Sequence, residues 1–150
     1  MIISLIPAKA KSSGIKNKNF LKIKKKTLIE IAILNSLNCN DIHQTFVSSE
    51  SNKILKIAKK YNCKLINRPL NLSTKTAKGI DVIKHFAKSL NKGLTKLNPI
   101  IVVLQPTSPL RSIKDISNSI EIFKKKKLDF LISVKENAST PFKDLIIKKN

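Results

Sequence analysis

The sequence is short of the residues that several protein classes require. Of its 150 residues, 2 are cysteine, 3 are glycine, 1 is tyrosine and none is tryptophan. Cys39 and Cys63 stand far apart and have no CxxC partner, so neither a disulfide framework nor a zinc site is indicated. His43 and His85 are equally isolated, and we assign neither a role. The scarcity of aromatic side chains also leaves little that could stack on nucleic-acid bases.

Long apolar runs are also missing. The longest clean runs, Ile2 to Pro7 and Ile100 to Leu104, have the length of strands and fall far short of the roughly 20 residues that a membrane helix needs. No basic region precedes the first run, which argues against a secretory signal. We therefore expect a single cytoplasmic domain over residues 1–150 that does not associate with a membrane.

Acidic residues are scarce, with 9 Asp+Glu against 30 Lys+Arg and a net charge of +21. Such a charge is typical of nucleic-acid-binding proteins when the cations cluster on one face. Here the lysines are spread over nearly every segment, and only Arg68 and Arg111 are arginines. This pattern favours a small anionic ligand over nucleic acid. A non-catalytic, basic nucleic-acid-binding module stays as the alternative from a different class.

The apolar residues that are present alternate between strand and helix spacing. Strands are predicted over residues 2–7, 45–48, 64–67, 100–104 and 130–134, helices over residues 27–37, 52–61, 77–90 and 113–123, and a loop over residues 91–98. Thr27 and Glu30 form a capping-box signature at the first helix. The continuous run at 100–104 is typical of a central strand covered on both faces. The alternation predicts an α/β fold, a Rossmann-like and mostly parallel sheet with flanking helices.

A loop of small and basic residues follows the first predicted strand. The strand ends at Pro7, and the loop runs through Lys9, Ser12, Gly14 and Lys18. Small residues let backbone amides approach an anion closely, and the flanking lysines add positive charge. The loop has one glycine where a Walker A loop needs two. It therefore predicts a phosphate site of another kind, with a lysine-rich connection of no function as the alternative.

A second polar segment, QPTSPLR, runs from Gln105 to Arg111 directly after the apolar run at 100–104. It brings an amide, two hydroxyls and a guanidinium into one turn, and Pro106 and Pro109 restrict its backbone. Such a loop suits recognition of a sugar or a base. The alternative is a proline-stiffened turn whose hydroxyls bond nearby backbone. Ligands bind at the carboxyl ends of parallel strands, so we expect both loops to meet at that edge.

These motifs together resemble the acylneuraminate cytidylyltransferase family, also called CMP-sialic acid or CMP-N-acetylneuraminic acid synthetases. The likeness runs along essentially the whole chain. It consists of IPAKAKSSGIKNKN at residues 6–19, VSSE at 47–50, RP at 68–69, LQPTSPLR at 104–111 and SV at 133–134. LQPTSPLR matches the family motif in full. Three positions depart from the family pattern, because Lys9 replaces an arginine, Ser13 a lysine and Lys75 an aspartate.

The resemblance implies a nucleotidyltransferase that transfers CMP from CTP to a sialic-acid-like nonulosonate and releases pyrophosphate. It also implies Lys9 and Lys18 as catalytic cations. The nucleotide-binding residues that it implies are Ser12, Gly14, Asn19, Arg68, Ala77 and Gln105. The alternative sugar acids are legionaminate, pseudaminate and an octulosonate. Because the family is dimeric, the resemblance implies a homodimer as well.

The resemblance implies Mg²⁺ as the cofactor. The family domain continues into a dimerisation excursion and a later strand with paired aspartates that bind the ion, whereas this sequence ends at Asn150. We therefore expect a C-terminally truncated member without the family's metal ligands, with weak CTP binding and very low turnover. Should turnover prove robust, Glu50 or Asp81 would be the alternative ligands.

Overall fold

The computed structural model describes residues 1–11 and 15–134 of the chain. The chain divides into two compact units, Met1–Ser117 and Asn118–Asn150, and the second unit is described as far as residue 134. Every strand of the described residues lies in the first unit. Over the same residues, no helix is both long enough and apolar enough to cross a membrane.

Strands and helices alternate in the order that the sequence predicts. The strands are β1 (Ile2–Pro7), β2 (Lys22–Ile23), β3 (Lys26–Thr27), β4 (Gln44–Ser49), β5 (Lys64–Asn67) and β6 (Ile100–Val103). The helices are α1 (Leu28–Leu37), α2 (Asn52–Lys60), α3 (Gly79–Ser89), α4 (Lys92–Lys96) and α5 (Ile113–Lys125). Single turns of 3₁₀ helix occur at Lys18–Phe20 and Leu70–Ser73.

Four of the strands form one sheet in the order β5-β4-β1-β6. Each neighbouring pair is parallel, and Leu5 of β1 lies opposite Phe46 of β4 on one side and Val103 of β6 on the other. The expected α/β fold with a parallel sheet is therefore confirmed. Because all four strands point the same way, the segments that follow them emerge at a single edge of the sheet.

Strand β1 lies in the middle of the sheet, and its side chains are buried on both faces. Residues 2–6 are at most 6% exposed, as expected for a strand covered on both sides. On one face, Ile3 and Leu5 pack with Phe46 and Phe86 in a buried cluster. The rings of Phe46 and Phe86 meet edge to face with their centroids 5.1 Å apart. This cluster holds α3 against the sheet.

The capping box at the start of α1 is confirmed. The Glu30 amide donates to the Thr27 hydroxyl at 3.4 Å, and Glu30 Oε2 accepts from the Thr27 amide at 2.8 Å. The other carboxylate oxygen accepts from the hydroxyl of Tyr61 at 3.2 Å. The Thr27 hydroxyl also donates to Glu30 Oε2 at 2.6 Å. This hydrogen bond is the largest cause of the lowered pKa of Glu30, and those from the Thr27 amide and Tyr61 add to it.

The central place predicted for the run at 100–104 is wrong. Within the described residues, β6 pairs with β1 alone, so it lies at an edge of the sheet. Its four residues are half-buried rather than covered on both faces. The two central positions of the sheet are taken by β1 and β4, whose residues are more deeply buried than those of β6.

Two other predictions of secondary structure are also wrong. Residues 130–134 form no strand in the described part of the chain, and Phe130 and Val134 are 72% and 87% exposed. A strand needs a neighbour to pair its backbone groups, and apolar alternation does not supply one. Residues 91–98, predicted as a loop, contain α4, because the Asn91 side chain accepts from the Leu94 amide at 2.9 Å and caps a helical turn.

Candidate functional site

A pocket of about 170 Å³ lies at the carboxyl edge of the sheet, next to the ends of β1 and β6. Its lining residues are Pro7, Lys9, Lys18, Asn19, Gln105, Pro106 and Thr107. Four of the residues that the family resemblance singles out therefore surround one cavity, although they come from three separate stretches of sequence. The expectation that the two polar loops meet at this edge is confirmed.

Lys9 reaches the pocket from the segment that leaves β1, and two contacts fix it. Its backbone carbonyl accepts a hydrogen bond of 2.8 Å from the side-chain amide of Asn19. Its ammonium group donates to the carbonyl of Thr74 at 3.2 Å. Lys9 therefore joins the pocket to the polar loop that follows β5.

Lys18 and Asn19 reach the pocket from the 3₁₀ turn Lys18–Phe20. Asn17 precedes the turn with a left-handed φ of 54°, a conformation that asparagine tolerates better than most residues. The amide of Phe20 donates to the Asn17 carbonyl at 2.8 Å and closes the turn. Asn19 is only 5% exposed, so it helps to form the floor of the pocket and also holds Lys9.

Gln105 enters the pocket from the loop after β6, and Arg111 braces that loop. The carbonyl of Gln105 accepts from the Ser108 amide at 3.2 Å and from Arg111 Nη2 at 3.4 Å. The carbonyl of Arg111 accepts in turn from the Asn35 side chain on α1 at 3.0 Å. Burial lowers the pKa of the Arg111 guanidinium. The loop is therefore fixed at both ends while Gln105 itself stays exposed.

Arg68 does not line the pocket. It is 5% exposed, and its Nη2 donates to the Ala8 carbonyl at 3.1 Å and to Glu50 Oε2 at 3.0 Å. Its Nε donates to the Ser73 hydroxyl at 3.0 Å. The structure places Arg68 in an internal network beside the pocket, and its part in nucleotide binding stays a prediction.

Glu50 is the residue that the sequence reasoning underrated. It accepts hydrogen bonds from the Ala10 amide at 2.7 Å and from Ser73 and Arg68 at 3.0 Å each. Burial acts to raise the pKa of Glu50, but hydrogen bonds from its own amide and that of Ala10, and from Arg68 and Ser73, outweigh it and lower the pKa. One sequence signal could have indicated this contact. Glu50 comes directly after β4 and Arg68 directly after β5, and these two strands are neighbours in the sheet.

The remaining predicted site residues lie apart from this geometry. Ala77 is half-buried two residues before α3 and is not part of the pocket lining. Ser12 and Gly14 lie outside the described residues. The nucleotide contacts predicted for these three residues stay predictions.

The Mg²⁺ that the resemblance implies stays a prediction, and the described side chains offer it no ready cluster of ligands. Over residues 1–11 and 15–134, no three His, Cys, Asp or Glu side chains are grouped so that they could hold a metal ion. Glu50, an alternative ligand, already uses its oxygens for Ala10, Arg68 and Ser73. Asp81, the other alternative, lies in the first turn of α3. The pocket instead offers the cationic side chains of Lys9 and Lys18.

The fold is an α/β protein with a parallel sheet, and two lysines and two amide side chains, those of Asn19 and Gln105, lie at the carboxyl edge where such sheets bind ligands. The comparison with known families agrees with this class. A family model described as cytidylyltransferase matches residues 3–145. The chain therefore belongs to the cytidylyltransferase family.

Two curated relatives illustrate the match. The N-acylneuraminate cytidylyltransferase of Escherichia coli O18:K1:H7 is 31% identical over 122 residues, which are 81% of this chain and 28% of that protein. Post-translational flagellin modification protein B of Campylobacter coli is 30% identical over 146 residues, which are 97% of this chain and 62% of that protein. The chain thus spans less than two thirds of the length of either relative.

Solved structures share the fold. A structure of CMP:2-keto-3-deoxy-manno-octonic acid synthetase complexed with CTP superposes with a TM-score of 0.66 and 16% sequence identity. The superposition covers 84% of this chain and 48% of that one. At this identity the likeness shows the fold alone.

Proposed function

We propose that this chain binds CTP at the pocket around Lys9, Lys18, Asn19 and Gln105 and serves the transfer of CMP to a nonulosonic acid, with release of pyrophosphate. The observation that carries the proposal is the presence of Lys9 and Lys18 on one pocket at the carboxyl edge of the sheet. Membership of the cytidylyltransferase family supports it.

The charges in the pocket suit a triphosphate. A nucleoside triphosphate brings several negative charges, and two ammonium groups can form short, charge-assisted hydrogen bonds to its oxygens. The pocket volume of about 170 Å³ is small beside the roughly 300–1,000 Å³ of typical ligand sites. It therefore suits one part of the nucleotide, and we assign the phosphates to it.

The chemistry needs positioning and cations more than a nucleophile from the protein. The anomeric hydroxyl of the sugar acid attacks the α-phosphorus in line and gives up its proton to water, and the bond to the pyrophosphate oxygen breaks. Negative charge grows on the leaving pyrophosphate as that bond opens. Lys9 and Lys18 would neutralise this charge, and removing one such contact typically costs about 100-fold to 1,000-fold in rate.

Gln105 supplies the neutral recognition group of the pocket. Its side-chain amide can donate and accept, which suits a base edge or a ribose hydroxyl. The hydrogen bonds from Ser108 and Arg111 to its carbonyl fix the backbone of Gln105 beside the pocket, so that less backbone freedom is lost on binding. We assign Gln105 to the sugar acid or ribose edge.

The sugar acid that we propose is a sialic-acid-like nonulosonate. The name of one curated relative supports this class, since that protein is an N-acylneuraminate cytidylyltransferase. Legionaminate, pseudaminate and an octulosonate are the competing substrates. A homodimer and a cytoplasmic location complete the proposal, and light scattering and cell fractionation test these two points.

A transfer assay tests the proposed activity. The purified chain is incubated with radiolabelled CTP and each sugar acid in turn, and CMP-sugar is separated from CTP by anion-exchange chromatography. We expect CMP-sugar with N-acetylneuraminate, formed slowly and lost in Lys9→Met. Absence of CMP-sugar with every sugar acid, from a chain that binds CTP, would overturn the transfer step. A product with another sugar acid alone would correct the substrate.

A further inference from the structure

Three loops at the carboxyl edge of the sheet converge on the Glu50 carboxylate. Oε1 accepts from the Ala10 amide, in the segment after β1, at 2.7 Å. Oε2 accepts from Arg68 Nη2, just after β5, at 3.0 Å, and from the Ser73 hydroxyl, in the next 3₁₀ turn, at 3.0 Å. Glu50 itself directly follows β4, so its carboxylate ties the other two loops to the end of its own strand.

The two residues on either side of Lys9 are held by this network. The carbonyl of Ala8 accepts from Arg68 at 3.1 Å, and the amide of Ala8 donates to the Ser48 carbonyl at 3.0 Å. The amide of Ala10 is held by Glu50. Lys9 therefore leaves a backbone that is fixed both before and after it. From this backbone its side chain extends beside the pocket, and its ammonium group donates to the Thr74 carbonyl at 3.2 Å.

The buried ion pair between Arg68 and Glu50 is not explained by a gain in folding stability alone. The Arg68 and Glu50 side chains are 3% and 10% exposed, and taking two charges out of water offsets most of their attraction. An apolar pair of the same volume would be about as stable. Such an apolar pair, however, would supply neither an acceptor for the Ala10 amide nor a donor for the Ala8 carbonyl. These two backbone groups lie on either side of Lys9 and hold the backbone from which its side chain extends.

We propose that Glu50 is a positioning residue for nucleotide binding. Together with Arg68 and Ser73 it fixes the backbone at Ala8 and Ala10 and thereby sets the direction of Lys9 into the phosphate pocket. Glu50 is not part of the pocket lining, so it acts through Lys9 and not by contact with the ligand. The proposal rests on the proposed function, because it takes the ligand of Lys9 to be a nucleoside triphosphate.

Glu50→Gln is the informative variant. A glutamine keeps the shape but has one acceptor atom, so either the Ala10 amide or the Arg68 and Ser73 donors lose their partner. Glu30→Gln is the matched control, because Glu30 also accepts three hydrogen bonds, two from its capping-box partner Thr27 and one from Tyr61. Both variants should lower the melting temperature of the chain. Only Glu50→Gln should change the orientation of the Lys9 side chain.

The first measurement is the Kd for CTP by calorimetry well below each melting temperature. We expect Glu50→Gln to raise the Kd between roughly tenfold and a hundredfold, as loss of one charged contact does. Glu30→Gln should leave the Kd within about twofold of the wild type. Equal effects of the two variants on the Kd would overturn the positioning role. If Glu50→Gln does not fold, Ser73→Ala removes one hydrogen bond from the same carboxylate and should give a smaller rise.

The second measurement does not depend on CTP. Solvent exchange of the Ala10 amide, followed by NMR, should accelerate in Glu50→Gln and stay unchanged in Glu30→Gln. Suppose that exchange of the Ala10 amide accelerates in Glu50→Gln but the wild-type chain binds no CTP. This result would support the role of Glu50 in fixing the backbone and would reject the proposed function. Unchanged exchange in Glu50→Gln would reject the positioning itself.

Discussion

Arg68 Nη2 lies 3.0 Å from Glu50 Oε2, and the two side chains are 3% and 10% exposed. This buried ion pair joins the loops that follow β4 and β5, two neighbouring parallel strands. It also explains why Arg68 is directed into the protein and not into the pocket. The positive charge that remains available to a phosphate there belongs to Lys9 and Lys18.

Removal of Arg68 should be among the more damaging substitutions in the chain. Arg68→Met leaves the Glu50 carboxylate buried without its ion-pair partner, and such a change typically costs about 3–5 kcal/mol. The double variant Arg68→Met/Glu50→Gln should recover part of that loss, because it removes the unpaired charge. Urea denaturation of the wild type and the three variants gives the coupling energy. A double variant as unstable as the sum of the two single variants would show that the pair does not interact.

The stability of the chain should depend on pH through Glu50. The folded state lowers the pKa of this carboxyl from its ordinary value of 4.5, since the hydrogen bonds outweigh the opposing effect of burial. A lowered pKa contributes stability above the unfolded pKa, and this contribution is lost as the pH falls through the folded pKa. Urea denaturation between about pH 7 and pH 3 should therefore show a shallower decline for Glu50→Gln than for the wild type. Parallel curves would contradict this.

The two pocket lysines should matter for nucleotide binding far more than the other lysines of the chain. Lys9→Met and Lys18→Met should each raise the Kd for CTP by roughly tenfold or more, as loss of a hydrogen bond to a charged group does. Lys56→Met is the matched control, because Lys56 is exposed on α2 away from the pocket lining. Equilibrium dialysis with labelled CTP measures all three. A similar loss at Lys56 would point to general charge attraction and not to a defined pocket.

Cys63 should be chemically inert in the folded chain. Burial raises the pKa of its thiol to about 11, so little of it is the reactive thiolate at neutral pH. Iodoacetamide at about pH 8 should modify Cys63 slowly in buffer and rapidly in urea. Peptide mass spectrometry over time distinguishes the two rates. Equal rates in both conditions would show that the thiol is accessible in the native chain.

Much of the fold could be predicted from the sequence because its signals are local. The apolar run of β1, the capping box of Thr27 and Glu30 and the periodicity of α2 are each determined within about ten residues of chain. The position of β6 could not be predicted in this way. Whether an apolar run lies in the middle or at the edge of a sheet depends on strand pairing, which the run itself does not encode.

The candidate site was predictable to a similar extent. Motifs identified Lys9, Lys18, Asn19 and Gln105, and the parallel topology brings them around one pocket. The role of Glu50 was not evident, because it depends on which strands are neighbours and on an amide 40 residues earlier in the chain. The opposite charges of Glu50 and Arg68 become a signal only after β4 and β5 are known to pair.

The account rests on the pocket as a site for CTP, and calorimetric titration of the purified chain with CTP, UTP and ATP tests it most directly. We predict saturable binding of CTP at one site, clearly tighter than that of UTP or ATP. Lys9→Met should weaken this binding, and Lys56→Met should leave it unchanged. A folded chain that shows no saturable heat with CTP, or that binds all three nucleotides equally, would contradict the account.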